Sequence, residues 1–345
     1  MKPVTRQPAR EPRCRPVLPA IFLAAALLTM AGCFPSVRLL PDAADPLKEY
    51  VLEGQGRDKV VIININGVIS DKVHKDFMSR ETPSLLQEVI AQFQMAKKDP
   101  AVKAVILKID SPGGTVTASD ILYRYITDYK QATGVAVVTA MMNMATSGGY
   151  YIALPSDEII AHPTTVTGSI GVIFMTPKVY TLLDKIGVDI TVRTSGKNKD
   201  MGSPLRESTK EEEAIFNHLI ENFAARFLSL VKKHRGDRGL DLDKVKSARI
   251  FTADEAQAAG LIDGIGYLED AIATARRIAK LPENARVICY RRTAFPNDNI
   301  YNTLSTRQGE GTPSLVNLDL FNFLPACSTG FYYLWWPSYS NGDLP

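Results

Sequence analysis

Ser147 stands after an apolar run, Val135 to Met142, and directly before Gly148 and Gly149. Apolar, β-branched residues over that length read as one buried strand of a parallel sheet, and Tyr150–Leu154 reads as helical. A serine at such a strand-to-helix turn holds its Oγ at the carboxyl edge of the sheet, where open α/β folds keep their sites. Glycines beside it let backbone N–H groups come close to a substrate, and the positive end of the next helix suits an oxyanion. Taken alone, Thr146-Ser147-Gly148-Gly149 fits a helix cap and turn at least as well. Two other segments repeat the pattern of a strand end followed by glycine or hydroxyl residues. Asp110-Ser111-Pro112-Gly113-Gly114 is rigid at proline and open at its glycines, so it could serve as oxyanion donor or as plain loop. Thr167-Gly168-Ser169 supplies hydroxyls that could orient a partner or satisfy a turn.

A nucleophilic serine needs a base. Histidine is scarce: His162 precedes a proline, and His218 and His234 fall on an amphipathic helix. The loop from Arg193 to Asp200 offers Lys197 and Lys199. A lysine with an ordinary pKa, about 10.4, is protonated at neutral pH and cannot accept a proton. Burial lowers lysine pKa values by several units, so a Ser–Lys dyad is sound if the lysine enters a desolvated cleft. On spacing alone a solvated lysine loop fits better.

The elements that must position these groups alternate. Lys59–Ile65 predicts a first strand, and Leu85, Leu86, Val89, Ile90 and Phe93 a helix stopped by Asp99-Pro100. Val102–Ile109 is a second buried strand, followed by a helix from about Ala118 to Lys130, then the strand before Ser147. Glu158–Ala161 and Ile190–Arg193 read as short strands, and Pro177–Ile186 as helical. A long helix runs from about Thr209 to Lys233, opened by a Thr209/Glu212 capping box. Its stripe of Phe216, Leu219, Ile220, Phe223, Phe227, Leu230 and Val231 calls for a core or a neighbouring subunit to cover it. Thr252 with Glu255 makes a second capping box before the stop at Gly260. Alternating strands and helices predict an α/β protein with a mostly parallel sheet and right-handed crossovers.

The ends differ from this body. Residues 1–33 carry Lys2, Arg6, Arg10, Arg13 and Arg15 against Glu11 alone, then an apolar run ending Met30-Ala31-Gly32-Cys33. That is a secretory signal pattern, and small residues before Cys33 are similar to a bacterial lipobox, with Met30 where leucine is usual. A lipidated Cys33 and an uncleaved membrane anchor both put the body outside the cytoplasm at a membrane. Residues 34–56, with Pro35, Pro41 and Pro46, read as a tether, residues 57–292 as the folded domain, and residues 293–345 as an irregular tail rich in aromatics at Phe331–Trp336. Of the formal net charge of +3 on 345 residues, the first segment holds a net +4, which leaves the rest at −1. No basic patch remains to bind nucleic acid. Cys14, Cys33, Cys289 and Cys327 show no CxxC spacing and the histidines no ligand pattern, so neither a metal nor another cofactor is expected.

Four motifs in order, Asp110–Gly114, Thr146–Tyr151, Thr167–Gly171 and Ser195–Pro204, resemble the signal peptide peptidase A family. Ala256 and Gly260–Gly266 match its distal motif, so the resemblance spans about residues 60–279. It implies a Clp/crotonase-type fold with repeated β-β-α units, a serine endopeptidase without cofactor, and cleaved signal peptides or other membrane peptides as substrates. Carried over by motif, Ser147 resembles the nucleophile and Lys199, directly before Asp200, the general base. Ser169 would hold the lysine amine, and Gly114 and Gly148 would give oxyanion N–H groups. The resemblance also implies a homo-oligomeric ring, usually an octamer, with each dyad shared between adjacent subunits. Three other readings differ in chemistry. An α/β-hydrolase needs a late histidine in a plausible loop, which does not follow here, and Pro155 cuts the helix after Ser147 short. A crotonase-type acyl-CoA enzyme has no use for a Ser–Lys pair, and a silent membrane-tethered ring scaffold has no need of the catalytic residues.

Overall fold

The computed structural model describes residues 45–75, 81–302 and 329–335. Cys33 and the apolar run before it lie outside the described residues, as does Trp336. Among the described residues, no helix is long and apolar enough to cross a membrane.

The strands in chain order are β1 (Lys48–Glu53), β2 (Lys59–Asn66), β3 (His74–Lys75), β4 (Glu81–Thr82), β5 (Val102–Ser111), β6 (Gly113–Thr115), β7 (Ala136–Thr146), β8 (Glu158–Ala161), β9 (Val166–Gly168), β10 (Ile173–Met175), β11 (Ile250–Thr252), β12 (Gly264–Ile265), β13 (Arg286–Arg291) and β14 (Gly330–Leu334). The helices are α1 (Leu85–Lys98), α2 (Val116–Thr133), α3 (Gly148–Ala153), α4 (Tyr180–Lys185), α5 (Lys210–Arg235), α6 (Leu242–Lys246), α7 (Ala253–Ala258) and α8 (Leu268–Ile278). The main sheet runs β1-β13-β2-β5-β7-β8-β12, with β9 bridging β7 to β11. Every neighbour from β13 to β12 is parallel, as a buried sheet fed by helical crossovers must be.

Alternation along the strands explains why these runs are apolar throughout. On β2, Val61, Ile63 and Ile65 face α1 and α2, where Leu86, Val89, Phe93, Leu122 and Ile126 meet them. Val60 and Ile62 face the other way, onto Leu268, Ala271, Ile272 and Ala275 of α8. Both faces are covered, so no polar face alternates with an apolar one, and the strands read as mainly hydrophobic stretches.

Helix signals translate directly. Thr209 accepts from the Glu212 N–H while Glu212 accepts from the Thr209 N–H, and Thr252 with Glu255 does the same. The loop between α7 and α8 ties α5 to the sheet. Arg235, buried near the C-terminus of α5, donates to the Gly260 carbonyl at 2.8 Å and to both Asp263 oxygens at 3.0 and 2.9 Å. Asp263 also accepts from the Ile159 N–H of β8 at 2.8 Å. Its carboxyl is held below the ordinary range, the bonds from Arg235 and its neighbours outweighing a burial that alone would raise it.

Three expectations need correction. Lys48–Glu53, within the segment read as a tether, is an edge strand paired antiparallel with β13; its partner lies more than 230 residues away, where no local pattern can signal it. Ile190–Arg193 forms no strand and is exposed, so water can satisfy its backbone groups without a sheet partner. Within the tail read as irregular, Gly330–Leu334 is a strand, and what it pairs with concerns the site.

Candidate active site

Strand β7 ends at Thr146 and α3 begins at Gly148, so Ser147 alone makes the turn. Its backbone has φ 50° and ψ −111°. That region is sparsely populated for a residue with a Cβ and stores on the order of 1–3 kcal/mol. Two hydrogen bonds hold it there: its N–H donates to the Gly168 carbonyl at 2.7 Å, and its carbonyl accepts from Tyr151 at 2.9 Å. Behind it, Tyr150 is fully buried and its hydroxyl donates to the Leu261 carbonyl at 2.8 Å. Ser147 itself is 1% exposed, and its hydroxyl makes no hydrogen bond among the described residues.

The glycine loop lies alongside. Ser111 accepts from the Gly113 N–H at 3.1 Å and donates to the Gly67 carbonyl at 2.7 Å, which fixes the bend after β5. Asp110 accepts from Asn143 at 2.8 Å and from the Met144 N–H at 3.2 Å, joining this loop to β7. Ile69 donates to the Gly113 carbonyl at 2.8 Å and accepts from Thr115 at 2.9 Å. Those bonds occupy one side of β6, so Gly114 turns its own N–H and C=O to the opposite side. No side chain fits at Gly114: a Cβ would lie 1.9 Å from the Ile69 carbonyl oxygen. Nor does one fit at Gly148, where a Cβ would lie 2.6 Å from Ser119 Oγ and 3.0 Å from the Gly114 nitrogen. Gly114 and Gly148 therefore bring two backbone nitrogens together beside Ser147, the arrangement an oxyanion requires.

The free side of β6 is occupied by the carboxyl-terminal segment. β14 is the middle strand of a three-stranded antiparallel sheet, β10-β14-β6, with Tyr333 opposite Gly114 and Tyr332 opposite both Thr115 and Ile173. Trp335 donates to the Pro112 carbonyl at 2.9 Å. Hydrogen-bonded pairs alternate along an antiparallel ladder, so Tyr333 and Gly114, two steps away, exchange the next pair. The Tyr333 carbonyl oxygen occupies the place of a Gly113 Cβ, 2.0 Å from that position, and lies 3.0 Å from where a Gly148 Cβ would sit. A carbonyl of an extended strand thus sits among the glycines beside the serine, opposite Gly114.

The lysine loop stands apart. Lys199 is exposed, and its ammonium makes no hydrogen bond or ion pair among the described residues. Its neighbours are anchored: Lys197 pairs with Glu211, and Asp200 accepts from Arg206 at 2.8 Å, with Arg206 also paired to Glu212. Lys199 is not joined to Ser147 within one chain. Ser169 is half-buried with φ 51°; its N–H donates to the Arg249 carbonyl at 2.8 Å, and its hydroxyl is not bonded within the described residues. Another lysine, Lys108, is buried on β5 and pushed down to about 8 by burial. Its amine donates to the Ile300 carbonyl at 2.9 Å, so its contact is with the segment after β13 and not with Ser147.

Sequence reasoning found the serine turn and the glycine loop but missed the groove between β6 and β10. Its signal was present in two pieces, the aromatic cluster from Phe331 and the aromatic stripe of α5, which meet. Phe331 packs on Phe174 at 4.7 Å and Phe223 at 5.3 Å between ring centroids, and Tyr333 on Phe227 at 4.9 Å. The stripe thus lines a peptide groove as well as the core.

A strained serine at a strand-to-helix turn, beside paired backbone N–H groups and a groove that seats an extended strand, defines a serine peptidase. Comparison with known proteins agrees. Residues 129–282 match the model of peptidase family S49. The chain is 35% identical over 267 residues to a putative signal peptide peptidase SppA of Enterococcus faecium, covering 76% of each protein. It is 34% identical over 226 residues to Protease 4 of Salmonella typhi, and 33% identical over 236 residues to the chloroplastic serine protease SPPA of Arabidopsis thaliana. These matches cover 65% and 67% of this chain but only 35% and 34% of those longer proteins. The chain belongs to the signal peptide peptidase A family, peptidase family S49, with its Clp/crotonase-like fold.

Proposed function

We propose that the protein is a membrane-tethered endopeptidase with a Ser147–Lys199 dyad, cutting signal peptides and other peptides released at the membrane. What carries this reading is the placement of Ser147 beside the Gly114 and Gly148 nitrogens, under the carbonyl of an extended strand. Lys199, exposed and unpaired among the described residues, is the residue a neighbouring subunit of a ring would receive. Lys197 is unsuited, since its ion pair with Glu211 occupies it.

In the reaction, neutral Lys199 Nζ of one subunit takes the proton of Ser147 Oγ in the next as Oγ bonds to the substrate carbonyl carbon. The negative oxygen is held by the N–H groups of Gly114 and Gly148. When the C–N bond breaks, Lys199 returns the proton to the leaving amine. Water then repeats the sequence on the acyl-serine, and Ser169 keeps the lysine amine in place throughout. Lipidation of Cys33 would hold the body at the extracytoplasmic face.

A serine-directed covalent probe followed by peptide mapping tests the chemistry. Labelling at Ser147 supports it, and an unlabelled Ser147 in active protein removes it. The mass of the mature N-terminus tests the tether.

A further inference from the structure

Strand β7 carries an insertion just before the Ser147 turn. From the pair Ile109–Met141 to the pair Ser111–Ala145, β5 advances by two residues (109 to 111) and β7 by four (141 to 145), so β7 holds two residues more. The same stretch is where β7 changes neighbours. Its ladder with β8 ends at the pair Met141–Ala161, and its ladder with β9 begins at Met144–Val166. Because two residues are inserted and not one, alternation is kept, and Met141 and Ala145 both lie in the core shared with α1 and α2.

Backbone groups freed by a bulge need partners, and two side chains supply them. On one side the hydroxyl of buried Thr165 is shared between the Met141 carbonyl, at 3.0 Å, and the Met142 carbonyl. On the other, Asp110 of β5 accepts from the Met144 N–H at 3.2 Å through one oxygen and from the Asn143 side chain at 2.8 Å through the other.

We propose that Asp110 is a positioning residue for peptide hydrolysis, holding the β7 insertion so that Ser147 and the Gly114 N–H stand at a fixed separation. The inference rests on the peptidase reading of Ser147. Asp110 belongs to both halves of the site. Its main chain leads through Ser111 into the glycine loop, and its carbonyl accepts from the Gly67 N–H at 2.9 Å. Its side chain grips β7 at Met144, shortly before the serine. Between that grip and the turn, β7 is pinned on its far side as well. Thr167 donates to the Ala145 carbonyl at 2.7 Å, and the Ser147 N–H donates to the Gly168 carbonyl at 2.7 Å. One carboxylate therefore cross-links the strand of the nucleophile to the loop of the oxyanion donor. A slip of β7 along β5 would move Oγ relative to the nitrogen that receives the developing charge.

What the site takes from Asp110 is acceptor geometry rather than charge. Both partners of its carboxylate on β7 are neutral donors. Lys108, two residues back on the same face of β5, gives its amine to the Ile300 carbonyl at 2.9 Å. An asparagine can make the same two contacts: its oxygen accepts from Met144, and its amide donates to the Asn143 oxygen once that exposed side chain turns over. An alanine makes neither, and the Met144 N–H loses its acceptor.

The test uses the full chain and an internally quenched peptide. Asp110→Ala should lower kcat by about 100-fold, as displacement of a reacting group by about 1 Å does, with KM changed by no more than about 3-fold. Asp110→Asn should bring kcat back to within about 3-fold of the unaltered protein. Asn143→Ala, at an exposed position where folding is not at stake, removes one of the two bonds and should lower kcat by about 3–10-fold. Unchanged kcat in Asp110→Ala, or in Asn143→Ala if the first chain does not fold, overturns the proposal. So does an Asp110→Asn protein as inactive as Asp110→Ala, which would make charge the requirement. Hydrogen exchange gives a readout independent of turnover. Amides of residues 142–147 should exchange at least about 10-fold faster in Asp110→Ala than in Asp110→Asn, and equal exchange overturns the clamp. That difference, found in a protein whose unaltered form cleaves no peptide, keeps the clamp on β7 and counts against the peptidase reading instead.

Discussion

Tyr333 and Gly114 face each other as antiparallel partners, so a residue near the carboxyl end of the chain lies on the backbone nitrogen nominated to hold an oxyanion. The two are separated by more than 200 residues in sequence. Between β6 and β10 there is room for one strand, and β14 is in it. A groove that takes its own chain by strand addition takes a peptide by the same main-chain bonds.

Self-occupancy predicts a kinetic signature. An intramolecular strand is present at high effective concentration, so even weak pairing keeps the groove partly closed. Tyr333→Gly in the full chain should lower KM for short peptides by about 3–10-fold with kcat nearly unchanged, because only the competent fraction rises. A fall in melting temperature with KM unaltered would mean that the strand contributes packing alone.

The dyad predicts a pattern of losses. Ser147→Ala and Lys199→Met should each remove peptide hydrolysis, and the double variant should be no worse than either, since groups acting as one unit do not add. Lys197→Met should keep most of the activity because that side chain is committed to Glu211. Near-normal turnover by Lys199→Met would break the assignment.

Burial predicts a stability trend with pH at His234. Burial first, then the charges of Lys233, Lys130 and Arg235, push it down to about 4, and its Nε2 shares a hydrogen bond of 2.8 Å with the Tyr123 hydroxyl. The folded chain therefore holds a neutral imidazole, while the unfolded chain takes up a proton below about 6.5. Stability from this group is complete above about 6.5 and is lost as pH falls from there toward 4. Melting temperatures measured from pH 7 to 5 should drop, and His234→Gln should flatten that part of the curve. An unchanged slope would show that other groups set it.

Much of this arrangement was legible in the sequence, for physical reasons that differ by element. Lys59–Asn66 and Val102–Ser111 announce themselves because both faces of the sheet are covered, so each is apolar through its middle, without a break from residue 60 to 63 and from 104 to 107. The capping boxes at Thr209 and Thr252 are local and therefore readable. β1 and β14 were not, because an edge strand and a groove strand are defined by partners far along the chain, and Lys48–Glu53 is half polar and mostly exposed or half-buried. The strain at Ser147 follows from its Gly168 and Tyr151 hydrogen bonds, not from residue type. The aromatic stripe on α5 signalled a covered face, and only the fold reveals that part of the cover is Phe331 and Tyr333.

The Arg235–Asp263 pair predicts where the scaffold behind the serine fails. Arg235 joins the end of α5 to the loop that also receives the Tyr150 hydroxyl at Leu261, and Tyr150 lies within the helix that Ser147 caps. Arg235→Ala removes one partner of a buried pair and leaves Asp263 with the more exposed Arg238 alone. Breaking such a pair costs about 3–5 kcal/mol. The variant should melt several degrees lower. Once refolded at low temperature it should keep its dependence on Ser147, because no atom of the reaction touches Arg235.

Distribution of the dyad over two chains gives the sharpest test. Ser147 is buried on a turn held by β9 and α3, whereas Lys199 is exposed on a loop anchored to α5, and no bond among the described residues joins them. If each site takes its serine from one subunit and its lysine from the next, two inactive proteins contain all the parts of an active one. Ser147→Ala and Lys199→Met chains should therefore regain activity when unfolded and refolded together. In a ring assembled at random from equal amounts, about a quarter of the interfaces join an intact serine to an intact lysine, so recovery should approach a quarter of the unaltered rate. Separate refolding followed by mixing should restore less, because subunits must exchange first. Mixed rings, demonstrated by differently tagged chains in one particle, that stay inactive would place serine and lysine in the same chain. The loop carrying Lys199 would then have to fold over its own Ser147, and the exposed position of that lysine would be the open form of the site.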